Sequence, residues 1–211
     1  MKMSLIKSIQ SQKIIAIMRG VQPDDVLAIF RALTKGGIKS FEVTLDSPRA
    51  YEMIQTLAKE KGDDISIGAG TVLDPASARK AIEYGADFIV SPTLHLETIQ
   101  MTKKHGAISI PGCLTPTEIL TAYENGADMV KVFPASSLGA NYFKDLSGPL
   151  PHIPLIATGG INKENIQSYV TSGVTAVGLG SSLVPKKITD QTELTQLTKE
   201  ASKLVHLMAD H

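Results

Sequence analysis

Gly126-Ala127-Asp128-Met129-Val130-Lys131-Val132-Phe133-Pro134 is a glycine step followed at once by a short apolar run that closes on proline. Glycine just past the last helical residue ends a helix, because it accepts the left-handed conformation there. An uninterrupted apolar run directly after it reads as a strand buried on both faces, as in a parallel sheet. Lys131 is out of place in such a strand, and two readings stand. One is a lysine paired with an acid on a neighbouring strand. The other is an amine that sheds its proton because an isolated buried ammonium is too costly. A neutral amine in a pocket is a nucleophile toward a carbonyl.

The same local pattern recurs outward from this stretch, in Gly85-Ala86-Asp87-Phe88 and Gly173-Val174-Thr175-Ala176. Gly62, Gly85, Gly106, Gly126, Gly148 and Gly173 each precede an apolar run, at intervals of 20–25 residues. Such a period is compatible with a solenoid. Apolar strands alternating with helical patterns argue instead for βαβ units and a parallel sheet. Strands are expected at 14–19, 41–45, 65–71, 88–91, 107–111, 129–133, 155–158 and 176–179. Between them, Val26, Leu27, Phe30, Ala32 and Leu33 recur at helical spacing within 24–35. Thr115-Pro116 with Glu118 is a capping box, Asp74-Pro75 opens a helix in the same way, and Asn162 is a further cap. An amphipathic stretch covers about 189–208, and a short extra helix at about 4–12 precedes the first strand. Eight strands and eight helices in about 200 residues is the count of a (β/α)8 (TIM) barrel, here one domain over 1–211. The rival, a doubly wound open sheet, lacks its Gly-x-Gly-x-x-Gly turn after the first strand.

Composition narrows the function. The 211 residues carry 21 basic and 21 acidic side chains, so no global field draws nucleic acid or an anionic membrane surface. An anionic ligand must then be held by a local site. The single cysteine, Cys113, excludes an internal disulfide and suits a reducing compartment. No apolar run approaches the length of a membrane span, and residues 1–7 show no long apolar stretch or small-residue cleavage site. The expectation is a cytoplasmic protein with no nucleic-acid or membrane partner.

Barrel proteins of this type place their sites at the C-terminal strand ends. The residues expected there are polar, small and glycine-rich. They include Arg19, Glu42, Asp46, Thr71, Pro92, Phe133, Thr158, Gly159, Gly160, Gly178, Gly180 and Ser181. Glu42, in Ser40-Phe41-Glu42-Val43-Thr44-Leu45, is a second charge in an apolar strand. The strands of Glu42 and Lys131 are both even-numbered, so the two side chains can share a layer across a barrel about 15 Å wide. A structural ion pair is one use of that arrangement, though its desolvation cost is often not recovered. A small substrate held between base and amine is the other. Glycines after the last two strands allow backbone N–H groups to approach a phosphate, in the loops where this fold commonly holds one; they also suit tight turns alone. His95, His105, His152, His206 and His211 show no paired spacing, so no metal is expected. His95 falls at a helix start. Cys113 has no neighbouring base and reads as packing. No cofactor is called for.

Together these residues resemble the 2-keto-3-deoxy-6-phosphogluconate (KDPG) and 4-hydroxy-2-oxoglutarate (KHG) aldolase family. The matching segments are Glu42-Val43-Thr44-Leu45, Gly68-Ala69-Gly70-Thr71-Val72-Leu73, Ser91-Pro92, Pro111-Gly112, Lys131-Val132-Phe133-Pro134-Ala135, Thr158-Gly159-Gly160-Ile161 and Gly180-Ser181-Ser182-Leu183-Val184-Pro185. The ordered set is specific where each piece alone is weak. The resemblance implies a class I aldolase. Lys131 would form a Schiff base with a 2-keto carbon, and Glu42 would act as general acid and base. Thr71, Pro92, Phe133 and Thr158 would line the pyruvate end, and Gly159, Gly160, Gly180 and Ser181 the phosphate side. It also implies a homotrimer without cofactor, releasing pyruvate and an aldehyde such as glyceraldehyde 3-phosphate or glyoxylate. One departure stands out: Asp46 occupies the position where the family often has an anion-binding arginine, and Arg19 is a candidate replacement cation. Rival readings are a phosphate-binding barrel epimerase or thiamine-phosphate synthase-like enzyme, and a non-catalytic sugar-phosphate sensor.

Overall fold

The computed structural model describes residues 2–209. Met1, Asp210 and His211 lie outside the described residues. The strands are β1 (Ile14–Met18), β2 (Ser40–Thr44), β3 (Ser66–Gly70), β4 (Phe88–Val90), β5 (Ile108–Ile110), β6 (Gly112–Cys113), β7 (Val130–Val132), β8 (Leu155–Thr158) and β9 (Ala176–Leu179). All pair in parallel, in the order β5-β4-β3-β2-β1-β9-β8-β7-β6. The helices are α1 (Lys2–Gln12), α2 (Val26–Lys35), α3 (Ala50–Glu60), α4 (Pro75–Glu83), α5 (Leu96–Lys104), α6 (Pro116–Glu124), α7 (Ala140–Ser147), α8 (Ile166–Thr171) and α9 (Gln191–Ala209).

The eight expected strands are all present. The fifth is cut in two at Pro111. Proline has no N–H to give to a ladder, so a strand cannot pair continuously through it. β5, before Pro111, pairs with β4; β6, after it, pairs with β7. The Pro111 carbonyl still accepts from the Lys131 amide at 2.9 Å. The two ends of the sheet are thus successive pieces of one chain segment, and the sheet closes on itself as a (β/α)8 barrel.

Two hydrophobic clusters follow from the period-2 alternation of the strands. Outward residues such as Val43, Ile67, Val130, Val132, Ala157 and Val177 pack under the helices. Inward residues Ile15, Phe88, Val90, Ile108, Ile110, Met129, Ile156 and Ala176 form a separate cluster within the barrel. Ile9 of α1 joins that inner cluster and is fully buried, so the extra helix stops the N-terminal end of the barrel. Gly68 makes room for the Phe88 ring, which a Cβ at that position would meet at 2.1 Å.

The repeated Gly-Ala-Asp motif explains how strands are anchored at their starts. Asp87 accepts from the Ile67 amide and pairs with Lys61; Asp128 accepts from the Ser109 amide at 2.9 Å and pairs with Lys103 at 2.6 Å. Each aspartate ties the start of its own strand to an amide of an earlier strand and to a lysine at the end of the helix that leads into that earlier strand. The helix starts follow their sequence signals. Thr115 and Glu118 form the capping box of α6, and Asp74 caps α4 by accepting from Ser77 N at 2.8 Å. Asn162 caps the turn leading into α8 rather than the helix itself, accepting from the amides of Glu164 and Asn165. His95 caps α5, with Nδ1 accepting from the Thr98 amide.

Candidate active site

The inward residues change character along the barrel axis. Met129 is followed two positions on by Lys131 and then Phe133. In the same way, Ile156 gives way to Thr158 and Gly160, Ala176 to Gly178 and Gly180, and Ile15 to Ile17 and Arg19. The period of two carries the same face from an apolar floor to a polar mouth. There a cleft of about 420 Å³ opens, lined among others by Lys131, Phe133, Thr158, Gly160, Gly180 and Lys186.

Lys131 is 4% exposed, with Nζ 4.8 Å from the centre of the Phe133 ring. Burial pushes its ammonium below the usual lysine range; the Glu42 carboxylate opposes that shift and the Arg19 guanidinium adds to it. Glu42 is 2% exposed, and burial raises its carboxyl despite the attraction of Lys131. Its Oε1 has no hydrogen-bond partner. The carboxylate lies over Gly70, where a Cβ would sit 1.8 Å from Oε1, so β3 has no side chain there. A buried carboxylate oxygen without a partner costs stability and awaits a donor. Burial shifts both groups toward their neutral forms, which brings the amine and the acid closer to the same pH range, as suits proton transfer.

Arg19 leaves the end of β1 and makes two contacts across the mouth. Nη1 meets Asp46 Oδ2 at 2.8 Å, and Nη2 donates to Thr71 Oγ1 at 3.0 Å. Partial burial raises the Asp46 carboxyl, but the Thr44 hydroxyl and Arg19 outweigh it and hold the group below the usual carboxylate range. The departure at Asp46 therefore produces a rim ion pair with both partners about half exposed. Ser47 fixes the support: its Oγ accepts from the Gly20 amide at 2.8 Å and meets Thr44 Oγ1 at 3.0 Å. Thr71 has φ of 57°, an uncommon conformation for a β-branched residue and a local store of strain.

On the other side of the mouth, Gly159 and Gly160 have φ of 96° and 73°. A Cβ on Gly160 would meet Ser136 of the Ala135–Ser137 3₁₀ turn at 2.4 Å, and one on Gly159 the Phe133 ring at 3.1 Å. The loop carbonyls are engaged by protein donors: Gly159 O by Ser136 N, Gly160 O by Asn165 Nδ2, and Gly180 O by the amides of Leu183 and Val184. A trans peptide points its N–H opposite to its C=O. The amides of Gly160, Ile161 and Ser181 thus face the other way, on residues that line the cleft.

Of the residues expected from sequence, Arg19, Lys131, Phe133, Thr158, Gly159, Gly160, Gly180 and Ser181 share this cleft. Glu42 and Thr71 lie behind it, Glu42 against Gly70 and Thr71 through Arg19. Pro92 is outside the lining; its backbone packs against Gly112, where a Cβ would come within 2.4 Å. Ile17, Asn162, Ser182 and Lys186 line the cleft and were missed. Lys186 sits in a basic pair after the last strand, and no spacing signal marks it. Cys113 is buried and its thiol is pushed up to about 12, chiefly by burial, so it stays protonated and unreactive. Among the described residues no group of three or more His, Cys, Asp or Glu could hold a metal, and no helix is long and apolar enough to cross a membrane.

A closed parallel barrel with a buried amine and acid below an open C-terminal cleft defines a (β/α)8-barrel protein with a built small-molecule site. The family model "Aldolase: KDPG and KHG aldolase" matches residues 5–200. The 2-dehydro-3-deoxy-6-phosphogalactonate aldolase of Escherichia coli (strain K12) is 39% identical over 171 residues, 81% of this chain and 83% of that protein. The 2-dehydro-3-deoxy-phosphogluconate aldolase of Pseudomonas aeruginosa is 33% identical, covering 89% of this chain and 85% of that one. Among solved structures, a KDPG aldolase from Legionella pneumophila, with pyruvate captured as a covalent carbinolamine, superposes with a TM-score of 0.86 at 29% identity. That match covers 94% of this chain and 97% of the other. The chain belongs to the KDPG and KHG aldolase family, and is thus an aldolase-type lyase.

Proposed function

We propose that the protein is a class I aldolase that cleaves KDPG, or a closely related 2-keto-3-deoxy acid, to pyruvate and an aldehyde, with Lys131 as the imine-forming amine and Glu42 as the proton-transfer group. The observation that carries this reading is a lysine 4% exposed at the floor of an open cleft, its pKa lowered by burial, near a buried carboxylate with a free oxygen. The neutral amine adds to the C2 carbonyl to give a carbinolamine, which loses water to become a protonated imine. Glu42 takes the C4 hydroxyl proton, the C3–C4 bond breaks, and its electron pair moves into the imine to leave an enamine. The aldehyde departs. Protonation of the enamine at C3 and hydrolysis of the imine then release pyruvate and the lysine. The Phe133 ring lies beside the amine and Thr158, 6% exposed at the end of β8, lines the same cleft; together they would confine the pyruvate portion.

Borohydride reduction in the presence of pyruvate tests the reading. A reduced adduct on Lys131, found by peptide mass, together with loss of both adduct and cleavage in Lys131→Met, is the expected outcome. Unmodified Lys131, or full cleavage activity in Lys131→Met, would return the site to an epimerase or a non-catalytic sensor.

A further inference from the structure

Of the rim pair, Arg19 lines the cleft and Asp46 does not. Two of the five N–H groups of the guanidinium are engaged, one on Nη1 by Asp46 Oδ2 at 2.8 Å and one on Nη2 by Thr71 Oγ1 at 3.0 Å. The remaining N–H groups have no acceptor among the described residues. Asp46 is itself held from behind. It sits in a turn closed by the Ser47 amide on the Thr44 carbonyl at 2.9 Å, and the buried Thr44 hydroxyl helps to keep its carboxyl below the usual carboxylate range. Thr44 ends β2, the strand that carries Glu42, and Ile17 of β1 is in register with Glu42. The pair therefore stands one step above Glu42 on the same two strands. From there the charge of Arg19 acts on both Lys131 and Glu42.

We infer that Asp46 is a positioning residue: it locks Arg19 onto Thr71, so that the guanidinium meets the carboxylate of the 2-keto acid in one fixed orientation while Lys131 adds to the neighbouring carbonyl carbon. The inference rests on the aldolase reading and gives the unusual aspartate a task in it. An arginine at this position would itself be the cation. With aspartate there the roles are exchanged, and the cation comes from β1 while its anchor comes from β2. Stability alone does not account for the pair, because both partners are about half exposed and such ion pairs contribute little. Orientation does. An exposed arginine has wide rotamer freedom that binding must remove, and a guanidinium already tied at both ends presents its flat fork with less entropy to lose.

The test measures the pyruvate concentration that half-saturates borohydride trapping, and kcat and KM on KDPG, for the wild type, Asp46→Ala, Asp46→Asn, Arg19→Ala and the Asp46→Ala, Arg19→Ala double variant. Asp46→Ala is expected to raise both the half-saturating pyruvate concentration and KM by about tenfold, with kcat changed less than about threefold and the urea midpoint unmoved. Asp46→Asn recovers most of the loss, because its amide oxygen still accepts from Nη1. Adding Asp46→Ala to Arg19→Ala costs nothing more, since the anchor then has nothing to hold. An unchanged or lower half-saturating concentration in Asp46→Ala, an additive loss in the double variant, or an Asp46→Asn as impaired as Asp46→Ala would each overturn the assignment. A trapped adduct whose half-saturation ignores Asp46 removes only this role, whereas no adduct in the wild type removes the aldolase reading beneath it.

Discussion

Glu42 influences Lys131 in a direction that can be measured. Its negative charge raises the Lys131 pKa, against the larger lowering from burial. Replacing Glu42 by Gln removes the raising influence, so Lys131 sheds its proton at lower pH than in the wild type. The fraction of pyruvate adduct trapped against pH should therefore extend to lower pH in Glu42→Gln, while aldol cleavage slows by on the order of 10²-fold or more because the proton acceptor is gone. A shift of the trapping profile to higher pH would contradict the assigned coupling. Gly70 offers an independent probe of the same group. A Cβ there would sit 1.8 Å from Glu42 Oε1, so Gly70→Ala must displace the carboxylate. Turnover is expected to fall by on the order of 10²-fold with pyruvate trapping retained, as expected for a misplaced general base; unaltered turnover would show that the Glu42 position is not used. Lys131 and Glu42 were legible in the sequence because a charge inside an apolar strand is an anomaly that burial must answer. Lys186 was not, because Pro185-Lys186-Lys187 reads as an ordinary solvated turn and only the fold-back over Gly20 brings it to the mouth.

At the level of elements, local signals located helix starts well, since a cap is a hydrogen bond between residues three apart and needs no tertiary information. Asp74 illustrates the energetics. Its carboxylate accepts from Ser77 N and Ser77 Oγ, and the first of these chiefly lowers its pKa. A depressed pKa means that this stabilisation is present above the unfolded value of about 3.9 and is lost as pH falls through the folded value. Asp74→Ala is expected to cost about 1 kcal/mol in urea unfolding at neutral pH, with a smaller deficit in acid where the wild-type cap is also protonated. An equal deficit at both extremes would assign the effect to something other than the cap. Strand limits were less legible. The fifth strand reads as one apolar run to Pro111, but its division between two neighbours depends on where the sheet closes, and that is set by residues distant in sequence. Asn162 was placed correctly in kind, but the turn it caps delays the helix to Ile166.

For the whole molecule, the recurring glycine steps were enough to specify the barrel, because each repeats one strand–helix unit and eight such units close a ring. They could not reveal the purpose of α1, whose sequence is only weakly amphipathic; its role depends on Ile9 joining the apolar cluster inside the ring. That contact makes the barrel a vessel with a floor. Whatever reacts at Lys131 enters and leaves by one door. In the proposed reaction the three carbons bonded to the lysine lie deepest and the aldehyde lies above them, so the route out imposes a queue: the aldehyde must leave before pyruvate can follow.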